Sequence, residues 1–269
     1  MKPMVFERKA LPDQRIDLSA LVPARLAGMT LKAVEALPIH TTRNPLAVGD
    51  VFRVRAGNPS SIRIRGATDR FDNVGAELDG GEIHVTGDVG ELAGRLMRGG
   101  TLVISGNAGP WAGSGLKGGR IEIGGGAGDW LGGPLPGEMA GMRGGLLRVK
   151  RNAGKMAGDR LRRGTIVVGG TAGPYAGSRM IAGTLIIAGA AGPWPGFLMR
   201  RGSLFLKREP EAVSPTFLDC GPGADVFRSL LARELGKAGL DVGWIARPGL
   251  SRFGGDTAVL GRGEIFMPA

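Results

Sequence analysis

The chain has 269 residues, 42% of them hydrophobic, and holds 50 glycines but only 17 prolines. That glycine share is far above the roughly 7% of average proteins. With no Gly-X-Y period and with apolar residues in short periodic runs, it excludes collagen and a disordered linker and fits a chain that turns often. One cysteine, Cys220, and two histidines, His40 and His84, exclude a disulfide framework or a zinc or iron–sulfur cluster built from this chain alone, while a net charge of +11 points to an acidic partner.

Residues 1–57 read as a lead-in and cap. The stretch 18–37 holds short helical patterns broken by Pro23 and Gly28, and NPLAVGDVFRVR (44–55) reads as a turn followed by a strand. The opening MKPMVFERKA lacks the apolar core of a signal peptide, and no apolar run reaches the roughly 18 residues of a membrane span. With the lone cysteine, this predicts a cytoplasmic protein and no membrane partner.

Residues 58–208 carry a repeat. Six copies start at Gly81, Gly100, Gly119, Gly145, Gly164 and Gly183, as in GTLVISGNAGPWAGSGLKG and GTIVVGGTAGPYAGSRMIAG; the period is 19 residues except in the third copy, which is 26 long. A fixed period in this range marks a solenoid. Each copy opens on an alternating strand whose apolar pair (Ile83 and Val85, Leu102 and Ile104, and so on) faces one way. SIRIRGATDR, with Ile62 and Ile64, is a degenerate first copy. The strand ends at a glycine (Gly87, Gly106, Gly125, Gly170, Gly189), where a corner with positive φ is expected; Arg151 takes that place in the fourth copy. Three glycine corners per copy predict an all-β fold: a right-handed parallel β-helix with 19-residue coils and small α/β terminal caps. The alternative is a left-handed hexapeptide solenoid, whose period is roughly 18.

SLFLK closes the array, and residues 209–269 read as a C-terminal cap. ADVFRSLLARELGKAGL (224–240) predicts an amphipathic helix with Val226, Leu230, Leu231, Leu235 and Leu240 near one face, and GDTAVLGRGEIFMPA adds a strand or two.

In a stacked repeat each position becomes a column. Met97, Leu116, Met142, Leu161, Met180 and Met199 form a column best read as core filling rather than a soft-metal path. Leu92, Trp111, Trp130, Met156, Tyr175 and Trp194 form an aromatic column, either a covered corner or a stacking surface. Directly after the methionines come Arg98, Lys117, Arg143, Arg162, Ile181 and Arg200, thickened by Arg163 and Arg201, with Arg148, Lys150 and Arg151 nearby. Like charges this close repel, so the basic column predicts a partner or polyanion along it. Residues 81–202 carry eight of the eleven excess positive charges. The outward strand column ends in apolar Val167, Ile186 and Phe205, which need a cover: the C-terminal helix first, a partner subunit second.

Catalytic chemistry is thin. Asp69, Asp72, Glu77 and Asp79 read as cap and turn residues, His84 as a surface residue, and GGGAG (124–128) lacks the GK[ST] of a phosphate loop. No catalytic residue and no metal site is predicted.

The repeated unit, as it stands in the two copies quoted above, resembles the glycine-rich β-helix in the family of formylmethanofuran dehydrogenase C subunits, and is similar also to the C-terminal domain of the glutamate synthase large subunit. The likeness covers at least residues 81–202, and GDTAVLGRGEIFM looks like that family's ending. Length and arginine content look more like its bacterial members, from the formyltransferase/hydrolase complexes of methylotrophs. The resemblance implies a complex that moves a formyl group from formyl-tetrahydromethanopterin to a methanofuran-type carrier and releases formate, with active sites and cofactors in other subunits. The A, B and D subunits are then the expected partners, the carrier is handled by the complex, and its polyglutamyl tail is a candidate for the basic column. The alternatives are the C subunit of a formylmethanofuran dehydrogenase, or a basic solenoid that binds nucleic acid. The expectation is a non-catalytic scaffold that fastens catalytic subunits together through Val167, Ile186 and Phe205 and through the basic column.

Overall fold

Parallel pairing of one short strand per repeat places like residues side by side in this computed structural model, which describes residues 2–268. Ile83, Leu102, Ile121, Leu147, Ile166, Leu185 and Leu204 are successive partners, as are Val85, Ile104, Ile123, Val149, Val168, Ile187 and Leu206. None is more than 3% exposed, and burying each such side chain stabilises the stack by about 1.5–3 kcal/mol. The longer third repeat leaves this register intact, since Ile121 partners Leu147 directly. A second line of parallel bridges joins Val89, Ala108, Ala127, Ala153, Ala172 and Ala191. The methionine column lies between, each member fully buried, so it fills core.

The result is mostly β: a 13-stranded, largely parallel sheet, a four-stranded sheet, and few helices. The glycine corners divide differently from the expectation. Of the strand-ending five only Gly87 has positive φ, 118°. Gly125 is needed for another reason: a Cβ there would sit 2.7 Å from the Gly106 carbonyl of the preceding repeat.

At the N-terminal end Pro3–Arg8 extends the large sheet, running parallel to Asn58–Ala67 and antiparallel to Phe52–Arg55. Met4 and Phe6 continue the two ladders onto Ile62 and Ile64. Phe6, Phe52 and Phe71 pack edge to face at 6.0 and 5.5 Å and plug this end.

The other end departs from the sequence reading in two ways. Arg201–Leu206 is not the last parallel strand, because Arg262–Pro268 from the tail lies beside it with Leu204 opposite Ile265. Asp256, buried in the turn before that strand, then stands in for a missing repeat. Arg160 and Arg179 each donate an N–H to a carbonyl of the next repeat, Ser178 and Phe197; the equivalent Leu198 N–H is received instead by the Asp256 carboxylate at 3.0 Å.

The apolar strand column is covered by the chain itself. Val167, Ile186 and Phe205 are 5%, 0% and 0% exposed and pack with Leu235, Leu240, Ile245 and Phe266. The first expected cover, the C-terminal helix, is in place, and as an interface for a partner subunit the three residues are corrected. That helix, Asp225–Lys237, ends before Gly239 at φ 76°. Its inner face differs from the expected one. Arg228 and Leu235 are buried, whereas Val226 and Leu230 are 75% and 52% exposed. Arg228 turns inward because its guanidinium bonds both Asp225 and the Arg247 carbonyl, 3.2 Å away; residues 228, 231, 232 and 235 then share the inner side and 226 and 230 the outer. Arg120 secures the far end by donating to the Ala238 carbonyl at 2.9 Å.

Candidate functional site

The basic column stands outside because its predecessor stands inside. With Met97, Leu116, Met142, Leu161 and Met199 buried, alternation turns Arg98, Lys117, Arg143, Arg162 and Arg200 to solvent, and all five are exposed. Backbone bonds fix the spacing: Lys117, Arg162, Ile181 and Arg200 donate their N–H groups to Met97, Met142, Leu161 and Met180 at 2.8–2.9 Å. Among the described residues none of the five cations is in a salt bridge. Exposed Arg163 and Arg201 lie one position along; Arg163 pairs across the sheet with Arg143, and Arg201 with exposed Arg262. Arg148 is not on this column. It lies half-buried on the outer face of the sheet between Glu122 and Val167, while Lys150 and Arg151 are exposed just beyond that strand.

At the C-terminal part of the column the surface dips. A cavity of about 360 Å³ is lined by Arg143, Arg160, Arg162, Arg179 and Arg200, with Met139 and Ile181 beside them. Two departures from the repeat pattern thus meet here, the insertion after Gly132 and the apolar Ile181 in a basic row. Two further depressions adjoin it. One of about 270 Å³ lies under the insertion against Trp111 and Trp130. The other, about 460 Å³, runs past Trp130, Lys155, Tyr175, Phe197 and Leu198. Arg179 lines all three.

The backbone explains why large side chains gather on this edge. Trp111, Trp130, Met156, Tyr175 and Trp194 all have left-handed φ, 53° to 62°, a conformation that costs an L-residue roughly 1–2 kcal/mol. Each sends its N–H to the next stretch of chain, as Tyr175 does to the Pro193 carbonyl at 3.0 Å, and its side chain to the outer corner. Trp111 and Trp130 stack at 5.0 Å and 7°, Lys155 lies 5.1 Å over the Trp130 ring, and Phe197 meets Tyr175 edge-on at 5.8 Å. Along the aromatic column the tryptophan pair is half-buried, whereas Tyr175, Trp194 and, beside the column, Phe197 are 37–39% exposed.

Arg160 and Arg179 also have left-handed φ, 48° and 51°; the sequence places Arg160 in the basic stretch 143–163 but singles out neither as a site residue. Their column (Leu96, Gly115, Arg160, Arg179, Leu198) was legible in the repeat, but only the insertion's position shows that they border a cavity. Buried Asp159 holds Arg179 through two bonds of 2.8 and 2.7 Å and accepts a third from the Ser178 hydroxyl. The insertion is tied through Glu138, which receives Arg95 at 2.8 Å and the Leu135 N–H at 3.0 Å and gives its carbonyl to Arg160.

Burial works against the charged form of Glu138, but the Arg95 guanidinium and the Leu135 N–H outweigh it and hold the carboxyl below its ordinary value of 4.5. A lowered folded value means that the anchoring is complete above pH 4.5 and is lost as pH falls through the folded value. Hydrogen exchange at residues 135–139 is therefore expected to be slow at pH 6 and to accelerate, relative to the repeat strands, on acidification below the ordinary glutamate range; an unchanged ratio would contradict this anchor.

No family model matches the chain. It is 52% identical over 262 residues, 97% of this chain and 98% of the relative, to the C subunit of the formyltransferase/hydrolase complex Fhc of Methylorubrum extorquens. Its fold matches a chain of the crystal structure of the FhcABCD complex from the same organism, in complex with methylofuran, with a TM-score of 0.95 and 42% identity over 98% of this chain and 99% of that one. With more than half of its residues identical along almost its whole length, the chain belongs to the family of C subunits of formyltransferase/hydrolase complexes.

Proposed function

We propose that the chain is a non-catalytic C subunit, assembled with A, B and D subunits into a complex that passes a formyl group to a methanofuran-type carrier and releases formate in one-carbon metabolism. Full-length likeness to a subunit of such a complex carries the reading. In this reading the stacked repeats wind as a right-handed parallel β-helix, a rigid rod whose exposed side chains are fixed in rows, which suits a scaffold. The two buried carboxylates among the described residues, Asp159 and Asp256, are both engaged in bonds that hold the rod together, so neither is free to act on a substrate. The chemistry is assigned to the other subunits, the carrier is bound by the complex rather than by this chain alone, and the compartment is the cytoplasm.

The basic column supports a second role. Arg98 and Lys117 continue it beyond the cavity, along a stretch where no large hydrophobic side chain between Leu31 and Met139 is exposed among the described residues. A tail of carboxylates needs only spaced cations, and this end offers them; each exposed pair contributes about 0–1 kcal/mol. We assign this end to the polyglutamyl tail of the carrier.

The test is purification of the tagged chain from cells that co-express the A, B and D subunits. The reading expects all three to co-purify, formyl transfer and hydrolysis in the assembly, and neither activity in the chain alone. Either activity in the chain alone, or its purification free of partners, would contradict it. Retention of duplex DNA at low salt, lost steeply as salt rises, would favour the nucleic-acid reading instead.

A further inference from the structure

The C-terminal end of the basic column differs from the rest in one respect: its cations border exposed apolar surface. Met139 is 80% exposed at the mouth of the arginine cavity, and Tyr175 and Phe197 flank the adjoining 460 Å³ depression at 38% and 39%. These side chains are not loose. Tyr175 is set by its left-handed backbone and by Phe197, and the insertion bearing Met139 is anchored by Glu138 to Arg95 and Arg160. A pre-set aromatic pocket beside a row of arginines is the composition of a binding hot spot.

Resting on the assembly reading above, we infer that this groove seats an extended acidic segment of a partner subunit, which places an aromatic or aliphatic side chain in the Tyr175–Phe197 pocket and its carboxylates on Arg162 and Arg200. Charge fixes the sign of the occupant. Of the cations in the arginine cavity, Arg179 is paired with Asp159 and Arg160 bonds the Glu138 carbonyl, whereas Arg143, Arg162 and Arg200 are exposed and in no salt bridge among the described residues, so an occupant without carboxylates would strand these three. The apolar floor fixes its class. A polyglutamyl tail has no side chain to fill the pocket, and nucleic acid would stack bases on ring faces, whereas Phe197 meets Tyr175 edge-on at 73° and closes that approach. Ile181 fits the same occupant: one apolar rung among arginines gives an alternating segment a dry contact between two ionic ones.

The decisive variant is Tyr175→Asn with Phe197→Ala, in the chain co-expressed with its A, B and D partners. Asparagine tolerates the left-handed backbone at position 175, and both side chains are exposed, so the thermal midpoint of the chain is expected to hold. The inference expects partner subunits recovered per chain to fall roughly tenfold, Tyr175→Phe to restore them, and binding of a free polyglutamate peptide to the whole complex to stay unchanged. Wild-type recovery of partners by the double variant would overturn the inference and leave the assembly reading standing. A fall in polyglutamate binding without loss of partners would overturn it in favour of the carrier tail. A wild-type chain that brings down no partner would overturn both.

Discussion

Reversing Arg143, Arg162 and Arg200 together to glutamate is expected to separate this chain from its partners while leaving it folded. The three guanidinium groups are exposed and, among the described residues, in no salt bridge, so the native chain loses only the longer-range attraction of Arg143 for Glu138, and a row of glutamates repels itself no more than a row of arginines does. The partner meets six units of changed charge. At about 0.2–1 kcal/mol for each lost attraction and a similar amount for each new repulsion, the complex weakens by about 1–6 kcal/mol, roughly ten- to ten-thousandfold. Because these contacts lie at the surface, the wild-type association is also expected to weaken with salt over the range in which the screening length falls below roughly 10 Å. Size-exclusion chromatography of the co-expressed complex reads both effects. An intact complex with the triple variant would remove the basic column from the assembly reading.

Phe205→Ala is expected to have the largest effect on the chain itself, a loss of about 3–5 kcal/mol. Phe205 is fully buried and stacks on Phe266 at 4.7 Å and 9°, at the seam where the last repeat strand, the tail strand and the C-terminal helix meet. Removing the ring leaves a cavity under the helix that Ile186 and Val167 are too short to fill. Denaturant unfolding gives the magnitude, and limited proteolysis shows whether residues 207–261 open first. Phe227→Ala, at a ring 41% exposed and only tilted against Phe205, is the control and should cost far less. Equal costs at the two positions would mean that the helix does not cover the sheet as described.

How much of this was legible in the sequence depends on whether the signal repeats. The aliphatic ladders, the buried methionines and the outward arginines each recur at a fixed spacing, so a column could be read as a direction in space, and the structure places Ile83 against Leu102 and Arg98 outside Met97 accordingly. Features that occur once were not legible in that way. Asp256 was not singled out because it mimics a carbonyl of a repeat that does not exist, and the strand Arg262–Pro268 was not read as a parallel neighbour of Arg201–Leu206 because 55 residues intervene. The helix face was misread because periodicity counts Arg228 as polar and outward, whereas its partners Asp225 and Arg247 draw it inward. Four of the five strand-ending glycines were read for the wrong reason: at Gly106, Gly125, Gly170 and Gly189 close stacking of backbones demands glycine, and only Gly87 has the expected positive φ.

The candidate site was half visible. Its cations and its two pattern breaks, Ile181 and the insertion, stood out against the repeat. Their convergence did not, since seven extra residues have no register to read. Arg151, the third break, lies apart from the cavity, one position past the strand Arg143–Val149 and its neighbour Lys150. A departure from a repeat therefore marks a place to look, and packing decides whether it belongs to a site.

The claim that the arginine groove is where this rod is fastened to its partners has a direct reporter in Met139. Peroxide oxidation of the assembled complex, followed residue by residue by mass spectrometry, compares Met139, 80% exposed in this chain, with Met97 and Met180, which are fully buried. The account predicts that partner coverage slows Met139 to the rate of the two core methionines; rapid oxidation of Met139 in the intact complex would show the groove open and contradict it.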